Sequence, residues 1–315
     1  MPKIKEQPPT LTEDMSVQDA IDLLNKSGYQ VQSNGKQEEE EYSLIEPTLQ
    51  ITHEQLPNGR FYHEVGDNSP DNWIPSVTTQ LNIVKVGPGL DIYNRNLGHL
   101  APRDRDAKAQ QGTDVHYQAV PLVRGETVTI DDLRTFIMGN PDESWKYLYK
   151  TVDQYTYHIR KYLASLCKFW YEHKPRAVAC EYPILHPDLP FAGRLDLIVE
   201  MKKAKNSKKT SRVLIDLKTG GKWLTHAWQN SAYKVGWELM NPDLPIDYIA
   251  GLYLSDGYRD EPNYQLYYQK FDYNAFKHVS ELWYIVNSNA KGEMKPSIKK
   301  APPTKFNLYN EKETK

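Results

Sequence analysis

The sequence predicts an α/β domain, and three observations carry that prediction. Trp145, Leu148, Val152, Tyr155, Ile159, Leu163, Leu166 and Phe169 recur at steps of three and four, painting one buried stripe on a long helix. After Pro175 the period changes, and short runs alternate polar with apolar residues as half-buried strands do. From Leu224 onward helix-like and strand-like segments alternate again, the pattern of a sheet covered by helices.

Composition sets the outer limits. At 315 residues, 39% hydrophobic and 25% charged, the chain has the make-up of an ordinary globular protein with a sizeable core. Two cysteines, Cys167 and Cys180, are too few for a disulfide framework, an iron–sulfur cluster or a four-thiolate zinc site, and the chain reads as intracellular and cytoplasmic. No apolar run approaches the roughly 18 residues that span a bilayer, and Met1–Thr10 has neither a signal-peptide core nor an Arg-rich transit pattern, so no membrane partner is expected. A net charge of -2 argues against holding nucleic acid by bulk positive charge; a polyanion must be held by a local site.

Residues 1–45 read as a flexible appendage. Val17, Ala20, Ile21 and Leu24 give a short amphipathic helix over Ser16–Asn25, followed by the acidic run Glu38–Glu41. This segment is a candidate dock for a replication or recombination protein. The main domain is expected over 46–290. It opens with a hairpin from Gln50 to Val65 around Pro57-Asn58-Gly59, where Asn-Gly favours a type I′ turn, and short helices follow at Leu90–His99 and Lys108–Val123. The long helix is expected from Ser144 to His173, then strands at Ala177–Leu185, Ala192–Met201 and Arg212–Leu217. A helix at Leu224–Leu239, strands at Tyr248–Leu254 and Tyr264–Phe271, and a helix at Asn274–Asn287 capped by Asp272 complete the domain. The Lys- and Pro-rich residues 291–315 read as a mobile basic tail.

The chemistry concentrates around one hairpin. The polar, basic stretch Lys202–Ser211 joins two strands, and a hairpin symmetric about its middle brings Asp196 opposite Asp216. Alternation puts Asp196, Asp216 and Lys218 on one face. Two carboxylates at ~5 Å repel by about 3 kcal/mol at an effective dielectric of ~20. Lys218 offsets part of this; a divalent cation with a bound water would complete the balance. The triplet alone decides little. An acid followed two residues later by lysine occurs six times, at Asp106, Glu172, Glu200, Asp216, Glu293 and Glu313, and only Asp216 ends a strand with an aspartate opposite. His116, in Gly112-Thr113-Asp114-Val115-His116 at the expected opening of a helix, offers an imidazole ligand. Glu181 on the first strand offers a third carboxylate, with pairing to Arg194 as its structural alternative. Gln229 and Tyr233, four apart, share one face of the following helix.

The ordered set Gly112-xxx-His116, Glu181, Gly193-xx-Asp196, Asp216-Leu217-Lys218 and Gln229-xxx-Tyr233 resembles the RecB-like branch of the PD-(D/E)XK nucleases over roughly 75–254. Ile74-Pro75-Ser76-Val77-Thr78 ahead of it is similar to a segment of phage-type and mitochondrial genome maintenance exonucleases. The resemblance implies a restriction-endonuclease-like core, a central mixed β-sheet flanked by helices, and a metal-dependent DNA exonuclease active in replication, recombination or repair. It implies one or two Mg²⁺ or Mn²⁺ ions on His116, Asp196, Asp216 and the carbonyl of Leu217, with Glu181 as an outer or direct ligand. Lys218 would orient or deprotonate the attacking water, while Gln229 and Tyr233 would position it. DNA would be met by Thr219, Lys222, Trp223 and Arg194, with Trp228 a further stacking candidate. The chain departs from some relatives in lacking cysteines for an iron–sulfur cluster, and in carrying Leu195 where the namesake motif has proline.

Overall fold

A computed structural model describes residues 44–56, 58–66, 73–84, 89–202, 209–255 and 261–288. The expected N-terminal helix, most of the lysine-rich hairpin tip and the basic tail lie outside these residues. Two sheets are present among the described residues. The smaller is an antiparallel unit of β1 (Ile51–Leu56), β2 (Gly59–Glu64) and β3 (Ile74–Pro75). The expected hairpin forms, but Gly59 is already a strand residue paired with Leu56, so the turn lies one position earlier than an Asn-Gly centre requires. Ser76 bridges to Ala192 and ties this unit to the main sheet. Ser76 also caps the short helix α1 (Val77–Leu81) through the amide of Thr79.

The larger sheet is mixed, in the order β4 (Arg176–Leu185), β5 (Ala192–Lys202), β6 (Thr210–Lys218), β7 (Tyr248–Ser255) and β8 (Asn263–Gln269). Only β6 and β7 run parallel, and α6 (Leu224–Met240) makes the crossover between them. On one face Val213, Ile215, Leu217, Leu252 and Leu254 meet α3 (Ala101–Val123) and α5 (Val152–His173). On the other, Ile198, Leu214 and Ile249 meet Ala232 and Trp237 of α6 and Phe276 of α7 (Tyr273–Ser288). The architecture is therefore α/β with helices on both sides of a five-stranded sheet. Asp272 accepts from the amide of Ala275, the expected cap.

Three helices depart from expectation. The stripe from Ser144 is broken: a 3₁₀ turn covers Ser144–Tyr147, and α5 starts only at Val152, where Thr151 accepts from the amide of Gln154. The helix expected from Lys108 begins at Ala101 and runs for 23 residues, so Gly112 lies in mid-helix instead of opening one. Its buried positions include Asp104, Gln110, Gln111, Asp114 and Gln118, so its inward face carries little apolar periodicity. Between α3 and the 3₁₀ turn lies α4 (Ile130–Gly139), for which sequence gave no expectation; it begins with a capping box between Thr129 and Asp132. The short helix α2 (Gly89–Leu97) lies ahead of α3.

Candidate metal centre

The site forms where the β4–β5–β6 ladders stop being regular. Leu197 pairs with Ile215 and Ile198 with Leu214, the register expected for the hairpin. Backbone pairing of β5 with β6 ends at Leu197, and at the next position the Asp196 side chain replaces the ladder: its Oδ2 accepts from the Leu217 amide at 2.7 Å. On the other side, Cys180 pairs with Leu197 and Tyr182 with Leu195, which puts Glu181 level with Asp196. Glu181 has φ of 49°, left-handed backbone that costs a non-glycine residue about 1–2 kcal/mol. Such strain persists only where its surroundings hold it, often at functional sites.

His116 reaches this point from α3. Its Nε2 lies 2.8 Å from the Leu217 carbonyl, and its Nδ1 lies 3.4 Å from Asp196 Oδ1. Ligand atoms of His116, Glu181 and Asp196 all lie within 4.8 Å of one another, close enough to share one ion. Asp216 is not a member of this trio, and Glu181, expected as an outer or direct ligand, is. Asp216 sits on the α6 side of β6, where its Oδ1 accepts from Lys218 Nζ at 2.7 Å. Its Oδ2 is buried and has no hydrogen-bond partner. Leu217 thus contributes through both backbone groups, the amide to Asp196 and the carbonyl to His116.

Electrostatics reflect this crowding. Burial lifts the Glu181 carboxyl to about 7, with Asp196 adding to the rise. Burial lifts Asp216 to about 7 as well; Lys218 opposes the shift and Asp196 reinforces it. Burial also works against ionisation of Asp196, yet His116 and Lys218 outweigh it and hold that carboxyl below its ordinary value. The imidazole of His116 is pulled down by burial but driven up to about 9, on balance, by Asp196. For Lys218, burial is outweighed by Asp216 and Asp196, so its ammonium is held charged. Without a cation, the cluster keeps its acids in check with protons and with its own two bases.

No protein-family profile matches this chain, and no curated protein is significantly similar to it. The reading of the site therefore rests on its geometry. Tyr233 is buried and receives a hydrogen bond from Gln229, as their helical spacing expects. Its ring lies over Gly193, where an added Cβ would fall 2.7 Å from it, so the glycine of Gly193-xx-Asp196 makes room for this tyrosine. Arg194 is exposed and acts electrostatically on Glu181. Thr219 faces Gly112 of α3, with 3.4 Å between its hydroxyl and a Cβ placed there. Lys222 and Trp223 are exposed just before α6, and Trp228 is partly buried against the core. Neither Gly220 nor Gly221 adopts positive φ.

Two neighbours escaped the sequence reading. Tyr253 pairs with Lys218 across the parallel β6–β7 ladder, and His226 Nδ1 lies 3.0 Å from the Tyr253 hydroxyl. Burial and the Lys218 charge push His226 down to about 3, so it is neutral. His226 lies three residues before Gln229 on one helix, a spacing visible in the sequence. Tyr253 could be placed only once the parallel pairing was known.

Proposed function

We propose that this protein is a Mg²⁺- or Mn²⁺-dependent deoxyribonuclease, an exonuclease, built on a restriction-endonuclease-like core of the RecB-like kind. One observation carries the reading: the carboxylates of Glu181 and Asp196 share one cluster with His116, and the Asp216–Lys218 pair lies beside it at the end of β6.

The donor set suits a hard divalent ion. His116, Glu181 and Asp196 supply one nitrogen and two carboxylates within 4.8 Å of one another, and the partnerless Asp216 Oδ2 leaves a buried acceptor to be satisfied. When bound, the ion supplies Lewis-acid polarisation of the phosphate and a more acidic water. The protein's own groups do the rest. Lys218, held as an ammonium by Asp216, donates to the developing oxyanion and to the attacking water. Water oxygen adds to phosphorus as the bond to the departing sugar oxygen breaks. The attacking water gives up its proton to solvent, and the departing sugar oxygen takes one back. Gln229 and Tyr233 fix the floor under Gly193 and with it the start of β5. DNA is the partner, approached through Arg194, Thr219, Lys222 and Trp223. The N-terminal segment is proposed to dock a replication or recombination protein; Ile45 donates to the Val178 carbonyl and packs against the core, so the expected boundary at 45 falls inside the folded domain, and deleting residues 1–43 should leave cleavage of naked DNA unchanged.

The test is purified protein with Mg²⁺ or Mn²⁺, given end-labelled linear DNA and a covalently closed circle, beside Asp216→Ala and Lys218→Ala. Degradation of the linear form alone, lost in both variants, is the expected result. Cutting of the circle moves the assignment to an endonuclease. Binding without cleavage by the parent chain moves it to a DNA-end-binding module, and equal activity in the variants refutes the site.

A further inference from the structure

Beyond the acids, the α6-side face of the sheet continues across β7 to the edge strand β8. The register lines it up in rows. Asp216 pairs with Gly251, which pairs with Tyr267; Lys218 pairs with Tyr253 in the next row. Outward along this face, one row thus runs Lys218, Tyr253, Gln265 and the other Asp216, Gly251, Tyr267, with a tyrosine in each.

The details fit a platform rather than a core. Tyr264, Leu266 and Tyr268 of β8 turn to the opposite face and pack against the core there, whereas Tyr267 is 50% exposed. Tyr253 lies flat because Gly251 has no side chain: a Cβ there would fall 2.7 Å from its ring. His226 holds the Tyr253 hydroxyl, so this ring is a fixed floor. Above it, the Lys222 ammonium stands 5.4 Å from the Tyr253 ring centre and 4.7 Å from that of Tyr267. No carboxylate pairs with Lys222 among the described residues. Trp223, next to Lys222 in the chain, is 46% exposed, with the rim of its indole towards Gly89 of α2. An exposed tyrosine, an exposed tryptophan and an ammonium without an acid partner, beside a cluster suited to phosphodiester chemistry, form a surface complementary to a nucleotide: ring for base, cation for phosphate.

We propose that Tyr267 and Trp223, with Lys222 between site and edge, form a nucleobase-stacking subsite that holds an unpaired nucleotide of the strand being cut. This rests on the nuclease reading and names its substrate: a base inside a duplex has both faces covered by neighbours, so a ring at the sheet edge selects an unpaired nucleotide over the interior of a duplex. Tyr253 and His226 are positioning residues that keep the floor rigid.

The experiment uses the full chain in EDTA, so that binding is read without cleavage. The probe is a single-stranded oligonucleotide carrying 2-aminopurine at successive positions from one end, compared with a blunt duplex. Fluorescence should change sharply at one position on binding. Tyr267→Ala and Trp223→Ala should each abolish that change and weaken single-strand binding by about 5- to 150-fold, the range for losing one base–aromatic stack. Tyr267→Phe should retain both, and duplex binding should be unaffected. Matching thermal melts establish that each exposed-residue variant is folded. The proposal is overturned if Tyr267→Ala binds single strands like the parent, if single strands and duplex lose affinity equally, or if the parent binds no single strand. Cleavage in Mn²⁺ is scored separately, so a chain that stacks bases but cuts nothing refutes the nuclease reading and leaves the subsite standing.

Discussion

Strand β5 crosses two rows of charge that share neighbours and differ in outcome. At Glu200, Arg176 stands opposite on β4 and Arg212 opposite on β6, and both guanidinium groups bond the carboxylate. Glu200 is held below its ordinary value: the two arginines outweigh its partial burial. Four residues earlier Asp196 has Glu181 level with it on β4 and Asp216 ahead on β6, acid beside acid beside acid. The first row is complete as the chain makes it. The second sets like charges side by side, and two of its carboxyls are lifted to about 7, first by burial and further by Asp196. An acidic residue on a sheet says little by itself; the sign of its two cross-strand neighbours tells a structural pair from a candidate ion site.

The comparison can be broken most sharply by paired substitutions. Asp196→Asn should reduce the cleavage rate by about 10²–10⁴-fold, whereas Glu200→Gln should leave it unchanged, as initial rates on end-labelled linear DNA will show. Equal losses would erase the distinction between the rows.

Gly193→Ala tests the floor beneath the acidic row. Its methyl would lie 2.7 Å from the Tyr233 ring, so the variant should cost about 1–3 kcal/mol of stability and ~10–100-fold in rate. A denaturant melt and a rate measurement at saturating DNA separate the two effects. Glu181→Gln should raise the metal-free melting temperature, since it removes a like charge beside Asp196, and shrink the upward shift produced by Mn²⁺. A calorimetric scan with and without the ion that showed an undiminished shift would take Glu181 out of the ligand set.

The smallest effect concerns Asp114, which accepts from Tyr155 and Asn140 and whose carboxyl burial lifts to about 6. A carboxyl raised above its unfolded value, about 3.9, binds more protons in the folded state. Its stabilising share is full below pH ~4 and is lost as pH climbs through 6. Glu181 and Asp216 drift the same way up to about 7, so the informative curve is the difference between Asp114→Asn and wild type. That difference should grow from pH 4 to 6 in the variant's favour and then flatten.

Much of this was legible in the chain. Alternation in Leu195–Val199 and Val213–Lys218, with a polar tip between, gave the register that places Asp196 ahead of Asp216, and helical spacing put Gln229 with Tyr233. What was hidden has physical causes. The reach of α3 was obscured because its buried side carries glutamines and aspartates that meet long-range partners, such as Gln110 with the Trp145 amide. The break before α5 was hidden because Trp145 and Leu148 continue the apolar spacing while the backbone is capped anew at Thr151. The left-handed turn at Glu181 has no sequence signal, since such backbone normally selects glycine. That single residue carries Glu181 into the ligand group in which Asp216 was expected.

His116 meets Leu217 across 101 positions of chain, whereas Glu181, Asp196 and Asp216 belong to three successive strands. The sheet can therefore assemble its acids early, from neighbouring segments, but acquires its imidazole only when a distant helix docks. If the cluster binds an ion as proposed, its affinity is then a gauge of completed folding: a chain caught halfway would carry the negative charge without the means to grip what neutralises it.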